Sequence, residues 1–600
     1  MTGKLAGCSQ ALSVSALIVA SLAITQSAWA ASTPVFLPAM TYSTGGQNAN
    51  FHNSGGTAWM VTADVNGDGK PDILVANWCV NSRECTSSSV GVLLNKGDGT
   101  FQPVVTYDTG GHHAFSVSVA DVNDDGKPDL VVAIGCANIF DQCSDGSVGV
   151  LLGNGDGTFQ AVHNYPSGGA ITAIAIADLN KDGNLDVVVS NCAASGQLCP
   201  FGEGSVGVLL GNTDGSFQPV QIYDSGGFIA SFVIVADVNG DHTPDLLVTN
   251  QLICGNCLGN LGVLLGIGDG TFQTVQTYNA GISYPAFMIA ADLNGDKNPD
   301  VVLTGGGGQL AVLLNGGDGT FQSAVVYSTG GLYATPLVVS DINADGKPDL
   351  LVSNAQFCAG HPPSDDGCIG ILLGNDDGTF QPVVTYDSGG IGASSLNVAD
   401  FDGDGKLDVA VANQCNVFSC SSGTATAEVL FGNGDGTFRQ TLIYGTDFEA
   451  IRVVVADLNG DGLPDLIIGN AGQGSGSVSV LLNGGTANDT KPPRITLRAA
   501  ANIVQSPQGE LLRIPVSGTI TDNLAGVNPN SATFALTDKT GRLRQKGIVH
   551  LGLGGRYSQN VFLRASTNNP DLHGRYVVTV RAQDNAGNAG SKKAVVNVPQ

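Results

Sequence analysis

One pattern constrains this chain more than any other: an aspartate-rich motif, D-x-[ND]-x-D-G-x-x-D, opening at Asp64, Asp121, Asp178, Asp237, Asp292, Asp341, Asp400 and Asp457. The eight copies recur about every 56 residues. A period of that size marks a repeat architecture, in which no unit can bury its apolar face alone. Around each motif the same four runs return, as in SVSVAD, DLVVA, VGVLL and FQPVVTY. Alternating or continuous β-branched and apolar residues divided by Gly, Asn and Asp are strand signals. We name these strands A, B, C and D. The Gly-Asp-Gly-Thr segment between C and D has hairpin-turn chemistry. Four antiparallel strands per period describe one propeller blade, and the abundance of glycine (84 residues) suits many tight turns.

The ends of the array set the blade count. Val35 to Tyr42 repeat a D strand alone, and the last copy finishes after C at Leu482. Eight A–B–C sets, seven internal D strands and one N-terminal D strand make eight complete blades. The N-terminal strand then closes the ring by pairing into the last blade, which removes two exposed sheet edges. The expected fold is all-β, an eight-bladed β-propeller, with seven blades and one displaced unit as the alternative.

Each A–B loop offers oxygen side chains at positions 1, 3, 5 and 9. In order these are Asp64, Asn66, Asp68, Asp72; Asp121, Asn123, Asp125, Asp129; Asp178, Asn180, Asp182, Asp186; and Asp237, Asn239, Asp241, Asp245. The later copies supply Asp292, Asn294, Asp296, Asp300; Asp341, Asn343, Asp345, Asp349; Asp400, Asp402, Asp404, Asp408; and Asp457, Asn459, Asp461, Asp465. With a backbone carbonyl at position 7, such a loop wraps a hard cation in six or more oxygens. Carboxylates crowded within about 5 Å repel by about 1 kcal/mol per pair even in water, and a divalent ion removes that cost. Calcium fits better than magnesium, because the loop itself supplies nearly all the ligands. The expectation is up to eight structural Ca2+ ions. The loop differs from an EF-hand: its flanks are strands, and position 12 is Val75 in the first copy rather than Glu.

The paired ADVNGDGKPDLVVAN and LLGNGDGTF signatures resemble the FG-GAP/VCBS repeat family, whose calcium loops also occur in the propeller heads of integrin α-subunits. The resemblance covers residues 31–490 and implies calcium sites in the A–B loops. His242 and Lys297 replace the glycine of the tight turn in copies four and five, so weaker sites are expected there. Asp402 gives copy seven a fourth carboxylate, from which the tightest site is expected.

Twelve cysteines fall in pairs within B–C loops: 79/85, 136/143, 192/199, 254/257, 358/368 and 415/420. An even number at one repeated place in an exported chain reads as six loop-closing disulfides. Topology then separates two faces. The calcium loops and C–D turns, nearly uniform among copies, share one face, whereas the B–C and D–A connections vary and share the other. Uniform loops suit scaffolding and diverse loops suit recognition. On the variable face we single out Trp78, His112, His113, Phe115, Phe228, Tyr284 and Tyr333 as candidate ligand contacts. The tyrosines that recur near the ends of the D strands, such as Tyr107 and Tyr165, read as structural.

Charge divides the chain. Residues 31–490 carry 10 Lys+Arg against 47 Asp+Glu, whereas residues 491–600 carry 14 against 5. Acidity on that scale repels nucleic acid. Lys4, the apolar run near Ala11 to Ile24 and Ala28-Trp29-Ala30 have the layout of a signal peptide over residues 1–30, and no later run is long and apolar enough to span a membrane. The expected order is then a propeller (31–485), a linker (486–493) and a tail (494–600). In the tail, VSGTITDNLAGVNPNSATFALTD and RYVVTVRAQDNAGN resemble a bacterial Ig-like β-sandwich. A secreted or cell-surface, non-catalytic module binding a glycan or a protein is expected. No HExxH or nucleophile elbow is present. The alternative is a polysaccharide-degrading enzyme using His112, His113 or Glu449 on the variable face.

Overall fold

In a computed structural model of the chain the described residues of the repeats are 36–46, 60–79, 87–135, 146–192, 204–251, 258–358, 366–415, 425–471 and 476–484. Those of the tail are 494–499, 502–506, 509–521, 532–549, 556–564, 574–583 and 589–598. Residues 1–30 and 486–493, expected as leader and linker, lie outside them. All regular structure among the described residues is strand. Among the described residues no helix is long and apolar enough to cross a membrane.

The four apolar runs of each repeat form four antiparallel strands paired in chain order. In unit 2 these are A (Ala114–Ala120), B (Asp129–Ile134), C (Ser147–Leu151) and D (His163–Pro166). Strand B is a continuous apolar run because both its faces are covered, and all six of its residues are buried. Strand D lies at the outer edge and is largely exposed, with Tyr165 half-buried. The units are not all separate sheets. Units 3 and 4 join through the Cys192–Ile229 pair, and one strand, Val384–Ala399, serves as D of unit 6 and A of unit 7.

Unit 8 has strands A (Ala450–Ala456), B (Asp465–Asn470) and C (Ser477–Leu481), and takes its fourth strand, Met40–Ser43, from the other end of the repeat array. This is the pairing expected from the sequence. Neighbouring units share apolar cores: 1 with 2, 2 with 3, and so on to 7 with 8. A further core joins unit 8 to unit 1 through Leu458, Ile467 and Val478 against Met60, Ile73 and Phe101.

Two repeated contacts stitch these interfaces. A D-strand tyrosine meets the phenylalanine of the next unit edge-to-face, as in Tyr107–Phe159 at 5.3 Å and Tyr165–Phe217 at 5.4 Å. Across the N-terminal strand the same pair recurs as Tyr42–Phe101 at 5.3 Å and Tyr444–Phe36 at 5.4 Å. A buried asparagine ending strand B donates to the carbonyl that ends the preceding D strand: Asn191 to Ser167, Asn250 to Ser225, and Asn77 to Thr44 across the seam. Glycine in strand C makes room for that carbonyl. A Cβ at Gly91 would lie 2.2 Å from the Thr44 oxygen.

In the tail, one sheet contains Arg494–Ala499, Asn502–Ser506, Gly509–Thr521 and Arg556–Arg564, and a second contains Thr533–Asp538, Leu543–Ile548, Gly574–Gln583 and Ala589–Val598. Both contribute to one core, including Ile514 and Val561 from the first and Leu536 and Val578 from the second. This is a two-sheet sandwich.

Candidate functional site

Every expected metal-loop residue lies among the described residues, in an A–B loop. The loop is shaped by its own acids. In unit 1 the Asp64 carboxylate accepts the backbone N–H groups of Gly67 and Gly69 at 2.8 and 2.7 Å. Asn66 Oδ1 accepts Asp68 N–H at 2.9 Å. The chain turns tightly enough to need left-handed backbone at positions 4 and 6, where Gly67 and Gly69 have φ of 74° and 81°. Non-glycine residues stand in that conformation elsewhere: Asp124, Lys181 and Ala344 at position 4, His242 and Lys297 at position 6. Copies four and five thus keep the backbone of the tight turn without its glycine, and position 4 adds three such replacements that the motif alone left unnoticed.

The aspartate at position 9 has a second task. Asp72 is fully buried at the head of strand B, with one oxygen accepting Val65 N–H at 3.1 Å and the other Asn95 N–H at 2.7 Å. It thus ties its loop to the end of strand C. The arrangement repeats in every unit; Asp186 accepts Leu179 and Gly211, and Asp465 accepts Leu458 and Asn483. Burial raises these carboxyls, with the neighbouring loop aspartates adding to the effect and the backbone donors opposing it. Asp72 is pushed up to about 6, and Asp408 and Asp465 to about 7. Clustered, partly dehydrated carboxylates of this kind fit a hard divalent cation. In loop seven, oxygens of Asp400, Asp402 and Asp408 lie within 4.8 Å of one another.

The FG-GAP-like repeat family matches residues 64–132, 135–189, 292–352 and 357–411, and the FG-GAP repeat matches residues 451–481. The chain carries FG-GAP repeats. None of the curated proteins compared matches the chain. Among solved structures it is similar to the biofilm matrix protein Bap1 of V. cholerae, with 14% identity over 77% of this chain and 92% of that one and a TM-score of 0.30.

In loop seven a cation is paired with a buried carboxylate. Asp402, whose side chain is 2% exposed, is paired with the guanidinium of Arg439, which also lies 5.2 Å over the Phe431 ring. Arg439 stands where units 1 to 6 have glutamine (for example Gln102 and Gln160), and Asp402 stands where every other loop has asparagine. The two changes occur in the same unit and neutralise each other. The fourth carboxylate of loop seven, from which the tightest site was expected, is thus already engaged. Co-occurrence of the two departures in one repeat was the signal in the sequence.

On the opposite face the FG-GAP units place the candidate ligand residues unequally. Trp78 and His113 are buried and stacked on each other, with ring centroids 4.2 Å apart. Phe115 is half-buried against the core between units 2 and 3, and His112 is exposed. Phe228, Tyr284 and Tyr333 are displayed to solvent. Two further exposed rings on this face, Phe357 and Phe448, escaped the sequence reading. Of the six expected disulfides, Cys358–Cys368 forms with both ends described. Cys79, Cys192 and Cys415 are also disulfide-bonded. Their expected partners Cys85, Cys199 and Cys420, and both members of 136/143 and 254/257, lie outside the described residues.

Proposed function

We propose that the protein is a secreted or cell-surface calcium-binding module whose eight units form one eight-bladed propeller, followed by an Ig-like sandwich. In this reading it binds an extracellular glycan or protein without catalysis. The observation that carries it is the succession of shared cores and Tyr–Phe contacts from unit to unit and across the N-terminal seam. A ring built that way collects the acidic loops on one face and leaves the variable connections on the other.

The calcium ions are structural: held by the A–B loops, they neutralise the crowded carboxylates and staple strand A to strand B. Extracellular calcium modules bind at about 10⁻⁴ to 10⁻³ M, which suits an exported protein. The test is the melting temperature in calcium and in EDTA, with metal content measured on the same samples. A clear drop after metal loss is expected; an unchanged melt with metal loss verified removes the calcium reading. Binding is tested separately on a glycan and polysaccharide array, where saturable binding without product supports a module and turnover supports an enzyme.

A further inference from the structure

In units 2 to 8, where the D–A connection enters strand A on the variable face, the pairing with strand B slips register. In unit 5 the slip falls between Pro285 and Phe287, and in unit 6 between Ala334 and Leu337. The residue just before the last pair ahead of the slip has left-handed backbone in five units. It is His113, Tyr284, Tyr333, Gly392 and Glu449, with φ of 65°, 53°, 56°, 70° and 48°. Unit 7 meets this geometry with glycine, the residue that adopts it without steric cost. Units 5 and 6 meet it with tyrosines.

Among the described residues no hydrogen bond or ring contact holds the side chains of those two tyrosines. Their backbone conformation is unfavourable for a bulky residue, and they are 49% and 48% exposed, so burial does not repay the strain. The inner strand that Tyr284 precedes, Pro285–Ala291, packs against the one that contains Tyr333, Leu332–Ser340. Phe228 projects from the matching connection of unit 4, and Phe357, again with positive φ (56°), from the B–C connection of unit 6. Four exposed rings therefore occupy three successive units. The described connections carrying them, 225–228, 280–284, 329–333 and 357–358, contain no charged side chain.

A surface bearing one or two aromatic rings per unit, with no lysine or arginine in the connections that carry them, suits an uncharged ligand with repeating apolar faces and hydroxyl edges. The absence of lysine and arginine, on repeats with a large acidic excess, disfavours a polyanion. We infer that Phe228, Tyr284, Tyr333 and Phe357 form a platform on which pyranose rings of a neutral polysaccharide stack. This rests on the proposal that the variable face binds a ligand.

The test uses the full chain in calcium, with Tyr284→Gly, Tyr333→Gly and the double variant. Affinity electrophoresis is run in hydroxyethylcellulose, galactomannan and dextran, with alginate as the anionic polymer. Retardation by a neutral polymer is expected, about tenfold weaker for each single variant. The melting temperature should be unchanged or raised, because glycine suits the left-handed backbone. A large fall in melting temperature would make the rings structural and overturn the platform. Undiminished binding by the double variant overturns the platform while leaving the binding-module reading intact. Retardation by alginate alone, or capture of a protein partner with none of the neutral polymers bound, overturns the neutral-glycan assignment.

Discussion

His242 and Lys297 hold left-handed backbone where six other loops carry glycine. A Cβ built at the equivalent Gly69 meets nothing within 4 Å, so the cost at this position is conformational rather than steric. That cost is about 1–2 kcal/mol for a non-glycine residue, partly offset by the about 0.5–1 kcal/mol of entropy that glycine loses on folding. His242→Gly and Lys297→Gly should each therefore stabilise the chain by about 0.5–1 kcal/mol, additively because the loops are separate. Calorimetry in calcium buffer checks this, and lower melting temperatures for both would contradict it. Arg439→Gln tests the other residue-scale departure. It leaves Asp402 as a buried carboxylate without its counter-charge, and a loss of about 2 kcal/mol is expected, moderated by the partial exposure of Arg439. Adding Asp402→Asn recreates the uncharged pair of the other units and should recover most of the loss. A double-mutant cycle that finds no coupling would show the ion pair to be inert.

At the scale of the element, the A–B loop is a strand connection held by buried carboxylates. Asp72, Asp408 and Asp465 have raised pKa values because burial penalises their charge. An acid whose pKa is raised by folding holds its proton more tightly in the folded chain. Stability from that source is fully present at low pH and is lost as pH rises from about 4 through about 7. A calcium-free sample should accordingly melt at a higher temperature at pH 5 than at pH 8. Calcium should narrow or reverse the gap, since the ion meets the charge that burial penalises. Parallel melts across this range with and without EDTA decide the matter; equal slopes in both would mean that the loops do not exchange protons for metal. The same buried carboxylates organise the loop through backbone N–H groups, so their contribution to structure does not end when the ion leaves.

For the whole molecule, the decisive strand is the one contributed by the N-terminal end of the repeats. Phe36 is 2% exposed and packs edge-on against Phe401 and Tyr444. It fills in unit 8 the place that the Gly-Asp-Gly-Thr-Phe segment fills elsewhere, and bridges to Asn483 as Phe101 does to Asn95. Phe36→Ala should cost about 3–5 kcal/mol, as for other buried phenylalanines. Removing the segment through Ser43 should do more, since it exposes the edge of Ser477–Leu481 to other chains. Size-exclusion chromatography and calorimetry should then find association and a broadened transition. A deletion variant that stays monodisperse with a native-like melt would mean that the seam contributes little.

Strand order, the place of the acidic loops and the pairing of the N-terminal strand with the last unit were legible in the sequence. Each follows from local patterning: period-two apolar runs, turn residues at fixed offsets, and aspartates repeated in phase. The disulfide between Cys358 and Cys368 was legible for the same reason. The strand-ending asparagines and Tyr–Phe pairs were visible as repeats, but their partners lie in the neighbouring unit, which no local pattern names. Only the tertiary structure separates the aromatics of the variable face, burying Trp78 on His113 while displaying Tyr284, Tyr333, Phe357 and Phe448. Likewise it alone sets Arg439 against Asp402, 37 residues away. Ring exposure and ion pairing depend on which segments meet across a turn or an interface, whereas strand formation depends chiefly on residues next to one another in the chain.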